Sequence, residues 1–211
     1  MTVPARTPWV LATRNAGKLR ELRALFADAG IDVIDLTEAG IAETADEELI
    51  ESYATFAENA EAKARYFAAR AGGRVVVADD SGLEVVALGG EPGVRSKRWS
   101  GRADLHGVSL DAANNALLLE RLRGAADRRA RFVCAAAWCA GDDAIVVHGE
   151  VAGTIVDRGS GGHGFGYDPY FLATELGVTL GDATVAAKQA VSHRGRAFRG
   201  LIEAVSAAHK L

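Results

Sequence analysis

Two adjacent aspartates, Asp79 and Asp80, offer the most recognisable chemistry in this sequence. They follow the β-branched run 75–78 and precede Ser81 and Gly82, which predicts a buried strand that ends at a turn. Mg²⁺ in proteins takes one or two carboxylates and leaves its other positions to water and phosphate oxygens, so this pair suits it. Asp-Asp-Ser-Gly is also an ordinary turn sequence, and both interpretations stay open.

A second candidate is the segment 13–18, Thr-Arg-Asn-Ala-Gly-Lys, between a short apolar run and a helical leucine pattern. Unpaired N–H groups at the start of a helix favour an anion there, and Lys18 adds a positive charge. The spacing is not that of a Walker A loop. A phosphate-binding loop and a plain strand-to-helix turn capped by Asn15 are therefore both open.

The densest glycine stretch, residues 159–166, leads into Phe165, Gly166, Tyr167 and Asp168. Glycines let a ligand approach the backbone, and the two aromatic rings offer stacking faces. The segment fits a flat heterocycle and fits a flexible surface loop equally well.

Cationic and titratable side chains precede the last predicted helix: Lys188, His193 and Arg194. Arginine supplies a planar fork of donors, and histidine supplies a donor or an acceptor. Such groups bind phosphates or the keto edge of a base. A surface His-Arg pair without a ligand is the alternative.

The residues around these motifs predict alternating strands and helices. Helical periodicity and end signals predict helices over 19–30, from the capping box of Thr55 and Glu58 to Gly72, over 109–123 and from 195 onward. Apolar and β-branched runs predict strands over 9–12, 31–36, 75–78, 132–139 and 144–151, the last two joined by a hairpin at 141–143. The acidic stretch 38–51 is interpreted as a loop.

Composition narrows the class of protein. The 211 residues are 49% apolar and carry a net charge of −4, which favours one globular domain over 1–211 and argues against nucleic acid as the main partner. The longest uncharged apolar stretch, residues 132–141, is about half of a membrane span, and residues 1–6 lack a signal-peptide core. We expect a cytoplasmic protein with no membrane contact, in which Cys134 and Cys139 are buried thiols.

In this order, the motifs resemble the inosine triphosphate pyrophosphatase family, the non-canonical purine (dITP/XTP) pyrophosphatases. The matching segments are 11–18, 55–60, 78–85, 88–94, 164–169 and 192–195. The resemblance implies an α/β fold, with a mixed twisted sheet flanked by helices and two lobes around a central substrate cleft, in a homodimer. It also implies Mg²⁺-dependent hydrolysis of ITP, dITP and XTP to the monophosphate and pyrophosphate.

The resemblance assigns roles by matching position. Asp80 would be the catalytic base and a Mg²⁺ ligand, with Glu51 as the second ligand and Ser81 touching the substrate. The triphosphate would be bound by Thr13, Arg14, Asn15, Ala16, Gly17 and Lys18. The base and phosphate contacts would come from Phe165, Gly166, Tyr167, Asp168, Lys188, His193 and Arg194.

This sequence departs from the family pattern at Tyr53, His163, Asp182 and Ala187.

Three alternatives to the family function are kept. They are a related nucleotide pyrophosphatase with another base preference, a nucleotide-binding regulator without catalysis, and a structural α/β domain.

Overall fold

The computed structural model describes residues 7–209, so the interpretation of residues 1–6 lies outside the described part. Its strands are β1 (Trp9–Leu11), β2 (Val33–Asp35), β3 (Val76–Val85), β4 (Arg129–Ala140), β5 (Asp143–Ile155) and β6 (Phe171–Ala173). Its helices are α1 (Ala16–Asp28), α2 (Glu47–Ile50), α3 (Phe56–Ala68), α4 (Gly107–Arg121), α5 (Val185–Val191) and α6 (His193–His209). Short 3₁₀ segments lie at Val86–Leu88, Gly93–Arg98 and Asp168–Tyr170.

The six strands form one sheet in the order β2-β1-β3-β4-β5-β6. β1 runs parallel to both neighbours, with Val10 opposite Ile34 of β2 and Val76 of β3. At the other edge β6 is antiparallel to β5, with Leu172 opposite Thr154. The sheet is therefore mixed, and the predicted α/β class is confirmed; the central cleft stays a prediction.

The described residues divide into two compact units. The first comprises 7–80, 135–148 and 197–209, and the second comprises 81–134 and 149–196. The chain passes from one unit to the other inside β3, β4, β5 and α6, so neither unit is a continuous segment.

The core of the first unit is built around Phe26 of α1, which is fully buried. Its ring contacts Trp9 of β1 and Phe198 of α6 edge-on, with centroids 5.8 and 5.7 Å apart. The helical spacing of Leu22, Leu25 and Phe26 places one face of α1 in this core, as the leucine pattern predicted.

In the core of the second unit, α4 packs against the parts of β3, β4 and β5 that belong to that unit. Leu118 of α4 and Leu122, which directly follows the helix, are fully buried, as are Leu83 of β3 and Phe171 of β6. The spacing of the two leucines is part of the pattern from which that helix was predicted.

Several predicted elements are confirmed with their end signals. Thr55 caps α3, its hydroxyl oxygen accepting from Glu58 N at 3.2 Å. β4 and β5 are joined by a tight turn at Gly141, whose φ of 60° suits glycine. Cys134 and Cys139 are buried thiols, as expected.

The predicted turn at Asp79–Gly82 is wrong. β3 does not end there and runs on to Val85. Its parallel partner β1 ends at Leu11, but β4 lies on the other side of β3 and keeps it extended. Asp79 and Asp80 therefore sit in the middle of a strand and not at its end.

The other differences between the predicted and the observed elements are smaller. The acidic loop 38–51 contains the one-turn helix α2, and α5 was not predicted. The closing helix begins at His193 and not at 195, so His193 and Arg194 lie in its first turn. Within the described range, the helices are too short or too polar to cross a membrane.

Candidate active site

The turn between β1 and α1 is held by its own polar side chains. Asn15 Oδ1 accepts from Lys18 N at 3.0 Å and caps α1, while Thr13 Oγ1 accepts from Asn15 N at 3.2 Å. Ala16, Gly17 and Lys18 form the first turn of the helix. The capped turn expected from the sequence is present, and its helix start offers the N–H groups that suit an anion.

Arg14 is tied to the short helix α2. Its guanidinium donates to both carboxylate oxygens of Glu47, at 2.8 and 2.7 Å, and to the carbonyl of Ile41 at 3.3 Å. The bonds to Glu47 raise the pKa of Arg14, and the same bonds lower the pKa of Glu47. In this structure Arg14 therefore forms a bidentate ion pair with Glu47.

The first two sequence motifs meet through Lys18 and Asp79. Lys18 Nζ lies 3.0 Å from Asp79 Oδ2, and the aspartate side chain is completely buried. A buried carboxylate needs a cation nearby, and the first turn of α1 provides one. The sequence had placed both residues in candidate motifs without predicting this contact.

Asp80 is also buried, at 6% exposure, and Asn59 Nδ2 donates to its Oδ2 at 2.9 Å. Burial, followed by the negative charge of Glu51, raises the pKa of Asp80 to about 6. Lys18, the bond from Asn59 and the charge of Lys63 act in the opposite direction. A carboxylate with this pKa can hold or release a proton near neutral pH.

Lys63 links the remaining acidic groups. Its Nζ donates to Glu51 Oε1 at 2.6 Å and to the carbonyl of Asp79 at 2.9 Å. Burial lowers the pKa of Lys63, but the charges of Glu51, Asp79 and Asp80 outweigh burial and raise that pKa above its ordinary value. We call Lys18, Glu51, Asn59, Lys63, Asp79 and Asp80 the carboxylate cluster.

The carboxylate cluster fits a hard divalent cation. Lys63 Nζ bonds to both Glu51 and the carbonyl of Asp79, which brings Glu51 to the strand that carries Asp80. The charge of Glu51 raises the pKa of Asp80, and a cation between the two carboxylates would relieve this repulsion. Among the described residues there is no group of three or more His, Cys, Asp or Glu side chains that could hold a metal. Two carboxylates are nevertheless what Mg²⁺ commonly takes from a protein.

A second cluster surrounds Phe165 in the glycine-rich loop. Lys188 Nζ donates to Asp168 Oδ2 at 2.6 Å, and both side chains are buried. The same oxygen accepts from Phe165 N at 2.8 Å. Lys188 Nζ and the guanidinium carbon of Arg194 lie 5.1 and 5.7 Å from the centre of the Phe165 ring.

Arg194 and His193 are fixed at the start of α6. Arg194 Nη2 donates to Ser81 Oγ at 2.8 Å. His193 stacks on Phe132 with centroids 4.7 Å apart and an angle of 10° between the rings. We call Ser81, Phe165, Asp168, Lys188, His193 and Arg194 the aromatic cluster; it brings together the third and fourth sequence motifs.

Gly166 and Tyr167 lie in the same loop with their polar groups engaged. The hydroxyl of Tyr167 donates to the carbonyl of Ser96 at 2.9 Å, and burial raises the pKa of Tyr167 well above its usual value. Gly166 has a φ of 62°, in the left-handed region. Of the two aromatic rings, Phe165 is the more accessible: Tyr167 is buried and Phe165 half-buried.

Sequence reasoning missed Asn59 and Lys63. Both lie on the buried face of α3 among Phe56, Ala60, Ala64 and Phe67. Polar residues four positions apart on an otherwise apolar face are the signal that could have found them, because a buried amide and a buried amine need partners.

Known proteins resemble this chain over nearly its full length. The model of the Ham1 family matches residues 9–204. The chain is 50% identical to a dITP/XTP pyrophosphatase of Burkholderia pseudomallei over 201 residues, covering 94% of this chain and 93% of that protein. It is 51% identical to the dITP/XTP pyrophosphatase of Nocardia farcinica, with 94% of each chain covered.

Solved structures show the same fold. The Ham1 protein of Staphylococcus aureus is 36% identical, with a TM-score of 0.79 and coverage of 96% of this chain and 100% of that one. A nucleoside-triphosphatase / dITP/XTP pyrophosphatase of Mycobacterium abscessus is 40% identical, with a TM-score of 0.68 and coverage of 92% and 97%. The resemblance stated from the motifs is thereby confirmed, and the chain belongs to the Ham1 family.

Proposed function

We propose that this protein hydrolyses non-canonical purine nucleoside triphosphates (dITP, XTP and ITP) to the monophosphate and pyrophosphate. The observation that carries the proposal is the identity of about half of the residues, over nearly the full length, with relatives named dITP/XTP pyrophosphatase. The carboxylate cluster and the aromatic cluster provide the buried charged side chains that such a reaction needs.

In this reaction the oxygen of a water molecule attacks the α-phosphorus, and the bond from that phosphorus to the bridging oxygen breaks. Pyrophosphate leaves, and the water gives up a proton. Asp80 is the group that we propose as acceptor of this proton, because it is a buried carboxylate whose pKa in the metal-free protein is about 6. Asn59 orients the carboxylate by its bond to Oδ2.

Negative charge builds up on the phosphate oxygens during the attack, and cations and N–H donors stabilise it. Lys18, Lys63 and the start of α1 are the positive groups within the carboxylate cluster or beside it. We propose that residues 13–18 bind the triphosphate. For Arg14 to take part, it must exchange its ion pair with Glu47 for a phosphate.

The proposed cofactor is Mg²⁺, held by Asp80 and Glu51. Bound there, Mg²⁺ lowers the pKa of a water ligand and neutralises phosphate charge. Lys63, which donates to Glu51, positions that carboxylate. Water and phosphate oxygens would supply the other ligands of an ion bound there.

We propose the aromatic cluster as the site of the base. The half-buried ring of Phe165 offers a stacking face, and Arg194 and Lys188 supply donors beside it. A donor directed at the 6-keto oxygen of a purine is left unpaired by the amino group of adenine, which disfavours ATP. Gly166, Tyr167, Asp168, His193 and Ser81 complete the proposed contacts.

Three further proposals follow from the family resemblance. The protein acts as a homodimer, as one catalytic domain over 1–211, and in the cytoplasm. Light scattering of the purified protein tests the first: a mass of one chain, 22.1 kDa, would overturn it.

The experiment that tests the function is pyrophosphate release from ITP, XTP, dITP, GTP and ATP, each with Mg²⁺ and with EDTA. We expect metal-dependent release from ITP, XTP and dITP far above that from GTP and ATP. Binding of ITP without pyrophosphate release would favour the regulator without catalysis. Activity confined to other nucleotides would favour a related pyrophosphatase.

A further inference from the structure

The backbone around Gly166 is held by two side chains of α4. Its N–H donates to Asp111 Oδ2 at 2.8 Å, and its carbonyl accepts from Asn115 Nδ2 at 2.9 Å. Asp111 and Asn115 are four residues apart and so lie on one face of the helix. They are 55 and 51 residues from Gly166 along the chain, so α4 fixes a distant loop.

These bonds control the direction of the neighbouring side chains. Gly166 follows Phe165 and precedes Tyr167 and Asp168, and its φ of 62° allows an abrupt change of direction. Fixing the peptide groups on both sides of such a residue fixes where the ring and the carboxylate point. Without the two bonds, the loop would sample other conformations of this glycine at little cost.

Asn115 is a buried residue that uses only its amide donor. It is 7% exposed, and its Oδ1 has no hydrogen-bond partner among the described residues. A buried amide with an unused acceptor is a weak stabiliser of a fold. The reverse orientation of the amide would place its oxygen against the carbonyl of Gly166, so the donor must face the loop.

We propose that Asp111 and Asn115 are positioning residues that hold loop 164–168 in the conformation that binds the base. This inference rests on the proposed function, since it takes Phe165 and Asp168 as base contacts. The two residues need not touch the substrate. They raise the fraction of molecules whose loop is ready to bind, and the apparent affinity falls in proportion to that fraction when they are removed.

Two variants remove one bond each, and a third is the conservative control. Asp111→Leu loses the acceptor and Asn115→Leu loses the donor, whereas Asp111→Asn keeps an oxygen that can accept from Gly166 N. For both leucine variants we expect the KM for dITP and XTP to rise about three- to tenfold, with kcat within about twofold of the parent. Asp111→Asn should restore the parent KM.

A matched surface change guards against a general effect on α4. Glu120 is exposed on the same helix, and Glu120→Leu should leave KM and kcat unchanged. Asn115→Leu loses the bond to Gly166 but also removes the unused buried acceptor, and because these two effects oppose each other we expect its melting temperature to stay close to that of the parent. A raised KM in a protein of undiminished stability separates positioning from folding.

Amide hydrogen exchange supplies a readout that needs no activity. In the nucleotide-free protein, exchange at Gly166 N should be at least about tenfold faster in Asp111→Leu than in the parent and unchanged in Asp111→Asn. Unchanged exchange in Asp111→Leu, or a parent-like KM in both leucine variants of an active enzyme, would overturn the inference alone. If the parent releases no pyrophosphate from dITP or XTP, the proposed function fails and the base-positioning role fails with it.

Discussion

Asn59 donates to Asp80 Oδ2 at 2.9 Å, and its Oδ1 accepts from the backbone N of Tyr53 at the same distance. One amide therefore joins α3, β3 and the segment that follows Glu51. A hydrogen bond donated to a carboxylate stabilises its charged form. Asn59 thus lowers the pKa of Asp80, whereas burial, the main cause of the raised value, acts in the opposite direction.

Replacing Asn59 by leucine should raise the pKa of Asp80 further above about 6. The change removes the bond that favours the carboxylate and leaves burial and the charge of Glu51 in place. Carbon-detected NMR titration of the Asp80 carboxyl group in EDTA measures the shift. Glu61→Gln, an exposed change on the same helix, is the control and should leave that pKa unchanged. An equal or lower pKa in Asn59→Leu would contradict the assigned bond.

The same raised pKa makes a prediction about stability. The pKa of Asp80 is about 6 in the folded protein and 3.8 as its ordinary value, so the folded state holds the proton more tightly. The stability that this proton contributes is fully present below about pH 4 and is lost as the pH rises to about 6. Above that pH the fold contains an ionised and largely buried carboxylate.

Asp80→Asn should therefore be more stable than the parent near about pH 7, by up to about 3 kcal/mol, and the difference should vanish towards about pH 4. The amide has the size of the carboxyl group but no charge to bury. Urea unfolding of the parent and the variant in EDTA at both pH values measures this difference in the free energy of unfolding. In the activity assay, the variant should release no pyrophosphate. A parent that is the more stable protein near pH 7 would show that Lys18 and Lys63 outweigh the burial of Asp80.

Local signals predicted much of the fold and of the site. The caps at Asn15 and Thr55 and the spacing of apolar residues on α1 and α4 depend on neighbours within a few positions, and all are observed. The order of the motifs predicted the α/β class. Lys188, in contrast, was selected by its residue type and by the family resemblance, and its pairing with Asp168 could not be read from the sequence.

What sequence reasoning could not supply depends on distant pairing. The strand β3 continues past Asp80 because β4 pairs with it, a fact absent from the local turn-like sequence. Arg14 meets Glu47 across 33 residues, and Lys63 meets Glu51 across twelve. Only the fold decides which buried charge each cation neutralises. For that reason neither Asn59 nor Lys63 could be assigned to the site from its position in a helix.

The buried pair of Lys188 and Asp168 makes a third prediction. Lys188→Met leaves the carboxylate of Asp168 without its cation in a buried place, and we expect a loss of about 3–5 kcal/mol in the free energy of unfolding. Combining it with Asp168→Asn should recover a large part of the loss, because the neutral amide costs less to bury. Denaturant unfolding of the two single variants and the double variant gives the coupling. Losses that simply add would show that the two side chains do not depend on each other.

Two glycines of the Phe165 loop provide a matched pair, because both have positive φ but their surroundings differ. Gly164 has a φ of 82°, and a Cβ there would overlap Asp168 Oδ2. Asp168 cannot easily move away, since Lys188 Nζ and Phe165 N both bond to that oxygen. Gly166 has a φ of 62° and no atom within 4 Å of an added Cβ.

Gly164→Ala should therefore break the contacts of Asp168 and raise the KM for dITP at least about tenfold, beyond its backbone strain. Gly166→Ala carries the strain without the overlap, about 1–2 kcal/mol of stability, and should raise KM less than Gly164→Ala does. Melting temperatures and initial rates of both variants, measured side by side, make the comparison. Equal KM values in the two variants would show that positive φ, and not the space beside Asp168, is what this loop requires of its glycines.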